Sequence, residues 1–332
     1  MIRISLVTLS LTFAALLPAK EIPKVIFDTD MTGDCDDCGA LAMLHALADN
    51  GEVEILGCIA SYGGMPWVPG CIDAINTYYG RGDLPIGAIH EEYGRIESRY
   101  LKAIATDTER YGHDVVTKEQ VPDHVSVYRK LLAGQPDGSV TIVTVGRLKA
   151  LVDLLNSKAD DYSDLDGIEL VKKKAKTWVC MGGRYPNPEE KGEANFQTWG
   201  GAGYSKAAVE LWPLDVTFSG WEIGRAIMTG HQLMTQSDDN PAARAYRLFL
   251  GDKKNRESWD QTAVLVAVRG TSPWWNVEAH GHNDVREDGI NVWKREPDAA
   301  QRYLVPKVPP QEVADLIESL MCAAPAKAVN KK

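Results

Sequence analysis

The sequence predicts an α/β fold: a mostly parallel open sheet flanked by helices, with its active site at the C-terminal ends of the strands. Three observations carry this. Near-continuous apolar, β-branched runs at 24–28, 53–61, 140–145 and 177–181 read as strands buried on both faces. Segments of helical period lie between them, the alternation expected of βαβ units. Turn-forming or acidic residues follow the runs repeatedly: an aspartate cluster from Asp28, then Gly146, then Gly182-Gly183. Ligands in such sheets bind at the carboxyl ends of the strands.

The elements follow in order. Strand 24–28 leads into helix 37–48. Strand 53–61 leads into helix 69–79, and 84–89 is a short strand. An amphipathic helix at 120–133 precedes strand 140–145, which is followed by a helix through Leu155. Strand 177–181 stops at Gly182-Gly183, helix 205–211 follows, and 216–218 is a strand. Further on, 240–250 and 258–268 read as helices. Short extended pieces at 274–278 and 289–292 suggest a hairpin, and 310–321 a closing helix. There is no internal repeat and no low-complexity linker, so residues 20–325 are expected to form one domain.

The chain has 332 residues, enough for one large core. Its net charge of -10 argues against a nucleic-acid polymer as partner. Residues 1–19 read as a signal peptide: Arg3 is basic, 4–17 is apolar, and Ala19 suits cleavage. The run is short for a bilayer span, and no Cys follows it for lipid attachment. The expectation is an exported protein, periplasmic or secreted, without a stable membrane anchor. The Lys-rich tail 326–332 is expected to be disordered. Six cysteines are present, and spacing does not say which would pair. Cys35 and Cys38 form a C-x-x-C, but no second one completes a four-thiolate zinc site. Neighbouring carboxylates raise thiol pKa values, which argues against a redox role.

Five aspartates, Asp28, Asp30, Asp34, Asp36 and Asp37, fall within ten residues on the turn between the first strand and helix. Like charges this close repel unless cancelled, and a hard divalent cation is the simplest solution. A helix N-terminus alone accounts for Asp36 and Asp37, and Asp260 after Ser258 has the same simple reading. It does not account for five.

Asp28-x-Asp30 followed by Asp36-Asp37 resembles the N-terminal signature of the inosine–uridine-preferring nucleoside hydrolases. The strand from Val140 to Leu148, Met181-Gly182-Gly183, Glu193-x-Asn195 and Trp259-Asp260 resemble later landmarks of that family, in the same order. The resemblance implies an N-glycosidase that cleaves a ribonucleoside or related N-riboside to free base and ribose. It implies a Ca²⁺ site made by Asp30, Asp37, Asp260 and the carbonyl of Val145. Asp30 would also be the general base, while Asp36, Glu193 and Asn195 would bind the sugar. It further implies assembly as a homodimer or homotetramer. Asp28 itself reads as a buried structural acid, hydrogen-bonded to the loop, and not as a metal ligand.

The chain departs from the family pattern in three places. Five residues, Met31 to Cys35, separate Asp30 from Asp36 where the shorter motif has three. Trp259 stands where many members carry a His that protonates the leaving base, so Trp259 would act through its ring face. Gly64 stands where members carry an Asn. His90, His280 and His282 are candidate replacement acids, and Trp67, Tyr185, Trp199, Trp221 and Trp259 candidate base-pocket residues. Two other readings exist. One is a non-catalytic, calcium-dependent nucleoside- or sugar-binding protein of the same fold. The other is a haloacid-dehalogenase-type phosphohydrolase, in which Asp28 would be the nucleophile and Asp30 the general acid beside Mg²⁺.

Overall fold

In a computed structural model of the chain, the described residues are 21–92, 94, 97–187, 191–197, 201–297 and 299–326. The expected signal peptide, Trp199 and the tail beyond Ala326 lie outside them. The strands are β1 (Lys24–Thr29), β2 (Glu54–Ala60), β3 (Ile86–Ala88), β4 (Val140–Thr144), β5 (Ala175–Met181), β6 (Val216–Ser219), β7 (Met228–Thr229), β8 (Arg256–Glu257), β9 (Trp275–Val285), β10 (Asn291–Arg295) and β11 (Gln301–Pro306). Nine of them form one sheet in the order β10-β9-β11-β6-β5-β4-β1-β2-β3, while β7 and β8 pair separately. From β11 to β3 every neighbouring pair is parallel; β11–β9 and β9–β10 are antiparallel. The expected mostly parallel sheet is therefore present.

The C-terminal region differs from the sequence reading. The extended pieces belong to a longer hairpin, β9–β10, and the unexpected β11 splices that hairpin onto β6. Charged and polar residues alternate through β9, so no continuous apolar run marks it. Helix Gly167–Lys174 was also not expected, although Asp166 and Glu169 form a capping box at its start.

Both faces of the sheet are covered, as a parallel sheet requires. Side chains alternate along β1. Val25 and Phe27 enter one core with Leu41, Leu44, Val264 and Ile317. Ile26 enters the other with Tyr128, Leu151 and Trp178. Helix Asp36–Asp49 is buried from Asp36 to Leu47, packed beneath helices Trp259–Arg269 and Pro310–Met321. That position explains its lack of a polar face.

On the opposite face, helix His124–Ala133 begins where the Asp123 carboxylate accepts from the amides of Val125 (2.9 Å) and Ser126 (3.4 Å). The His124 ring lies 3.1 Å from Asp123 and 3.0 Å from Asp153, tying this helix to Lys149–Leu155. Burial disfavours the imidazolium, but hydrogen bonds to the two carboxylates outweigh it and lift the pKa to about 9. A pKa raised on folding stabilises fully below the unfolded value of about 6.5 and is lost as pH rises through the folded value. His124→Gln is therefore expected to cost roughly 2 kcal/mol near pH 6. The gap in Tm between wild type and variant should narrow from about pH 7 upward. A gap that stays constant to alkaline pH in thermal melts would refute this account.

Candidate active site

The chain leaves β1 outward to β2 and β3, then returns to β4 on the other side of β1. The strand order reverses there, and the carboxyl ends of β1 and β4 border a crevice. The amide of Val145 donates to the Asp28 carbonyl at 2.9 Å, so the segment after β4 runs beside the segment after β1. A cavity of about 290 Å³ opens at this point. Asp30, Asp34, Asp36, Asp37 and Asp260 line it, together with Val145, Glu193, Asn195 and Trp259, so the residues that the resemblance assigns to the metal, the sugar and the base meet here.

The turn after β1 is tight. Met31 is buried with φ 38°, a left-handed conformation that non-glycine residues seldom adopt. Oδ1 of Asp37 accepts from Thr29 Oγ1 at 2.5 Å and from the Met31 amide at 3.0 Å, so the turn and the helix start hold each other. Asp36 reaches across the structure. Its Oδ2 accepts from the amides of Trp259 (3.2 Å) and Asp260 (3.4 Å), capping helix Trp259–Arg269. Its Oδ1 is buried with no hydrogen-bond partner. Asp260, in the first turn of that helix, is 4% exposed.

Two arginines were missed in the sequence. Arg147 ion-pairs with Asp30, both being largely buried. Arg256 pairs with Asp34, bonds Glu257 at 3.0 Å and lies over the Trp259 ring, 4.8 Å from its centroid. A cluster of like charges implies internal cations, and Arg147 directly follows Gly146 at an expected site strand. That was the signal available. Asp34, unassigned from the sequence, is the partner that positions Arg256.

Electrostatics favour a cation. Burial pushes Asp36, Asp37 and Asp260 well above the usual carboxylate range, and their aspartate neighbours push further. Burial also raises Asp30, with Arg147 opposing it. Carboxylate oxygens of Asp34, Asp36 and Asp37 lie within 4.8 Å of one another, a grouping suited to a metal ion. The donors are all oxygen, as a hard cation requires. The unpartnered Asp36 Oδ1 lacks a positive partner that such an ion would supply.

The remaining residues are placed as follows. Glu193 is buried, and its oxygens accept from the amides of Asn195 (2.9 Å), Phe196 (3.2 Å) and Gly183 (3.3 Å). Burial raises it to about 7 against those bonds. Asn195 Nδ2 donates to the Val145 carbonyl at 3.0 Å, bracing the loop after β4. Asp28 accepts from Tyr128 Oη at 2.6 Å, and burial lifts it to about 7. Its support therefore comes from a helix tyrosine instead of the loop. Fully buried and absent from the cavity wall, Asp28 cannot be a nucleophile, so the phosphohydrolase reading lacks its central residue.

Among the described residues that line the cavity there is no His. His90 contacts the Val121 carbonyl at 3.0 Å, His280 the Pro297 carbonyl at 3.0 Å, and His282 pairs with Glu296 at 2.7 Å. Trp221 joins Trp259 in the wall, and Trp259 Nε1 donates to the Trp221 carbonyl at 2.7 Å. Tyr185 instead stacks on Tyr303 in the core, and Trp67 and Gly64 lie outside the cavity. Cys35 and Cys38 are buried thiols that burial, then carboxylates or the Cys71 thiol, push well up, which fits no redox role.

Gly146 is required by close approach. A Cβ there would lie 2.7 Å from both Cβ and N of Asp30. Gly146→Ala is expected to displace Asp30 and cost about 1–3 kcal/mol. An unchanged Tm would show that Asp30 is free to move.

No protein-family model matches the chain, and no curated protein matches it. Its structure is similar to solved ones. A plant nucleoside hydrolase, PpNRh1, is 18% identical with a TM-score of 0.63, over 91% of this chain and 99% of that one. The inosine–uridine preferring nucleoside hydrolase from Bacillus anthracis is 14% identical with a TM-score of 0.66, over 90% and 99%. The type III effector protein XopQ, solved in complex with adenosine diphosphate ribose, is 13% identical with a TM-score of 0.62, over 92% and 94%. The chain shares their fold.

Proposed function

We propose that this cavity hydrolyses the N-glycosidic bond of a ribonucleoside or related N-riboside, with Ca²⁺ as its metal. The observation that carries the reading is the buried five-aspartate cavity at the switch point of a fold shared with nucleoside hydrolases. Asp30, Asp37, Asp260 and the Val145 carbonyl would hold the ion, and Asp34 and Asp36 lie close to Asp37. The ion would acidify a nucleophilic water and anchor the ribose diol.

The chain's own groups do the rest. Asp30 takes a proton from the water that attacks the anomeric carbon. The C1′–N bond breaks, its electron pair passing to the base nitrogen, which takes up a proton from solvent as Asp30 later returns its own to solvent. Arg147 fixes the orientation of the Asp30 carboxylate and favours its ionised form. The surrounding carboxylates stabilise the oxocarbenium-like charge that develops on the sugar. Trp259, its indole N–H held by Trp221, offers only its ring to the base. We propose also that residues 1–19 direct export.

One further reading has specific support. Arg147 already neutralises Asp30, and no described His lines the cavity to protonate a base. Both features suit a protein that binds a riboside without cleaving it.

Release of reducing sugar from purine, pyrimidine and nicotinamide ribosides, with Ca²⁺ and with chelator, tests the proposal. Release that needs Ca²⁺, and that falls about 100-fold or more in Asp37→Asn and Asp260→Asn, is expected. Ca²⁺ at about 100 times its Kd should also stabilise the fold by about 2.7 kcal/mol. Calorimetric binding of ribosides without any sugar release would establish the binding-protein reading instead.

A further inference from the structure

A second chamber, of about 490 Å³, adjoins the acidic cavity. Gly33 and Arg256 line both. The two spaces therefore meet at the widened turn, which has two more residues than the shorter family motif. Gly33 has no side chain to close the passage. Asp34 pairs with Arg256 and so sets the wall between the two spaces.

The second chamber has the opposite chemistry. Arg99, Lys253 and Arg256 supply cations, and Ser98 and Asn255 add polar groups. Its carboxylates are Glu97 and Glu257, and Glu257 is already held by Arg225 and Arg256. Arg99 and Lys253 form no ion pair among the described residues. Arg99 donates to the Phe249 carbonyl at 3.1 Å, which ties the segment before helix Leu101–Ala105 to the end of helix Pro241–Leu250. Arg256 Nε is buried without a hydrogen-bond partner.

We infer that this chamber is a phosphate subsite, and that the ligand is a nucleoside 5′-phosphate with its ribose in the acidic cavity. This rests on the hydrolytic reading for the placement of the ribose. In a β-riboside the base and the C5′ arm share the face opposite the 2′ and 3′ hydroxyls. A sugar held by its diol at the aspartates directs both outward. Glu193 and Asn195 are hydrogen-bonded to backbone groups of their own loop and of Val145, and neither offers a positive charge to a phosphate. A phosphate on that arm would be repelled by the aspartates and accepted beyond Arg256, where guanidinium and ammonium donors match its oxygens.

Two measurements on the full protein test this. The first is calorimetry with inorganic pyrophosphate, in the wild type and in the double variant Arg99→Glu/Lys253→Glu, with circular dichroism to confirm folding. Saturable binding that weakens about tenfold or more in the variant is expected. No binding, or binding the variant leaves unchanged, overturns the subsite. The second is base release from the common ribonucleosides and their 5′-monophosphates. A KM at least about tenfold lower for the phosphorylated form, with the ratio collapsing in the double variant, is expected. Equal KM values overturn the inference while leaving riboside hydrolysis standing. Pyrophosphate binding without base release from any substrate would sink the hydrolytic reading and keep the anion site.

Discussion

Five aspartates cannot share a buried cavity without compensation, and much of the local structure serves that end. Four of the aspartates are given different partners. Asp37 is tied to its own turn, Asp36 to the start of a distant helix, Asp30 to Arg147 and Asp34 to Arg256. Asp260 comes from a separate element and closes the ring. Two arginines against five aspartates still leave the cavity short of positive charge, and burial magnifies the deficit. The cavity is therefore suited to cationic character, and under the hydrolytic proposal that would be a metal ion, the oxocarbenium-like sugar of the transition state, or both in turn.

The two faces of the sheet divide the work. One face carries the site, through helices Asp36–Asp49 and Trp259–Arg269. The other is braced by ionic and polar ties such as His124 between Asp123 and Asp153. Arg129 is nearly fully buried there, and its guanidinium gathers Ser157, Asp160 and the carbonyls of Ser163 and Leu165. The Arg129 contacts secure the loop between helices Lys149–Leu155 and Gly167–Lys174. Asp28 stands between the two sides, a buried acid held by Tyr128 beneath the turn that presents Asp30.

What the sequence made legible is what short-range chemistry dictates. Apolar runs marked β1, β2, β4 and β5, and the aspartate spacing marked the turn after β1. Residues with family counterparts, Glu193, Asn195 and Asp260, do gather at one cavity. Arg147 and Arg256 were harder to read because their partners lie 117 and 222 residues away. Likewise β11 was missed because a short mixed-polarity strand is defined by the β6 and β9 edges that receive it. Glu193 shows a subtler gap. Its position was legible, but not that backbone amides would occupy its oxygens.

The bond from Asp36 to the amide of Asp260 spans 224 residues of sequence. During synthesis, the acidic turn emerges long before the helix it caps. A nascent chain stopped short of Trp259 would carry its aspartates in water, without the geometry that makes them a site. Local turn formation cannot assemble this centre; it requires a late, long-range closure of high contact order. Ligand affinity in such a protein reports the last cooperative step of folding, and any partly folded form is silent by construction.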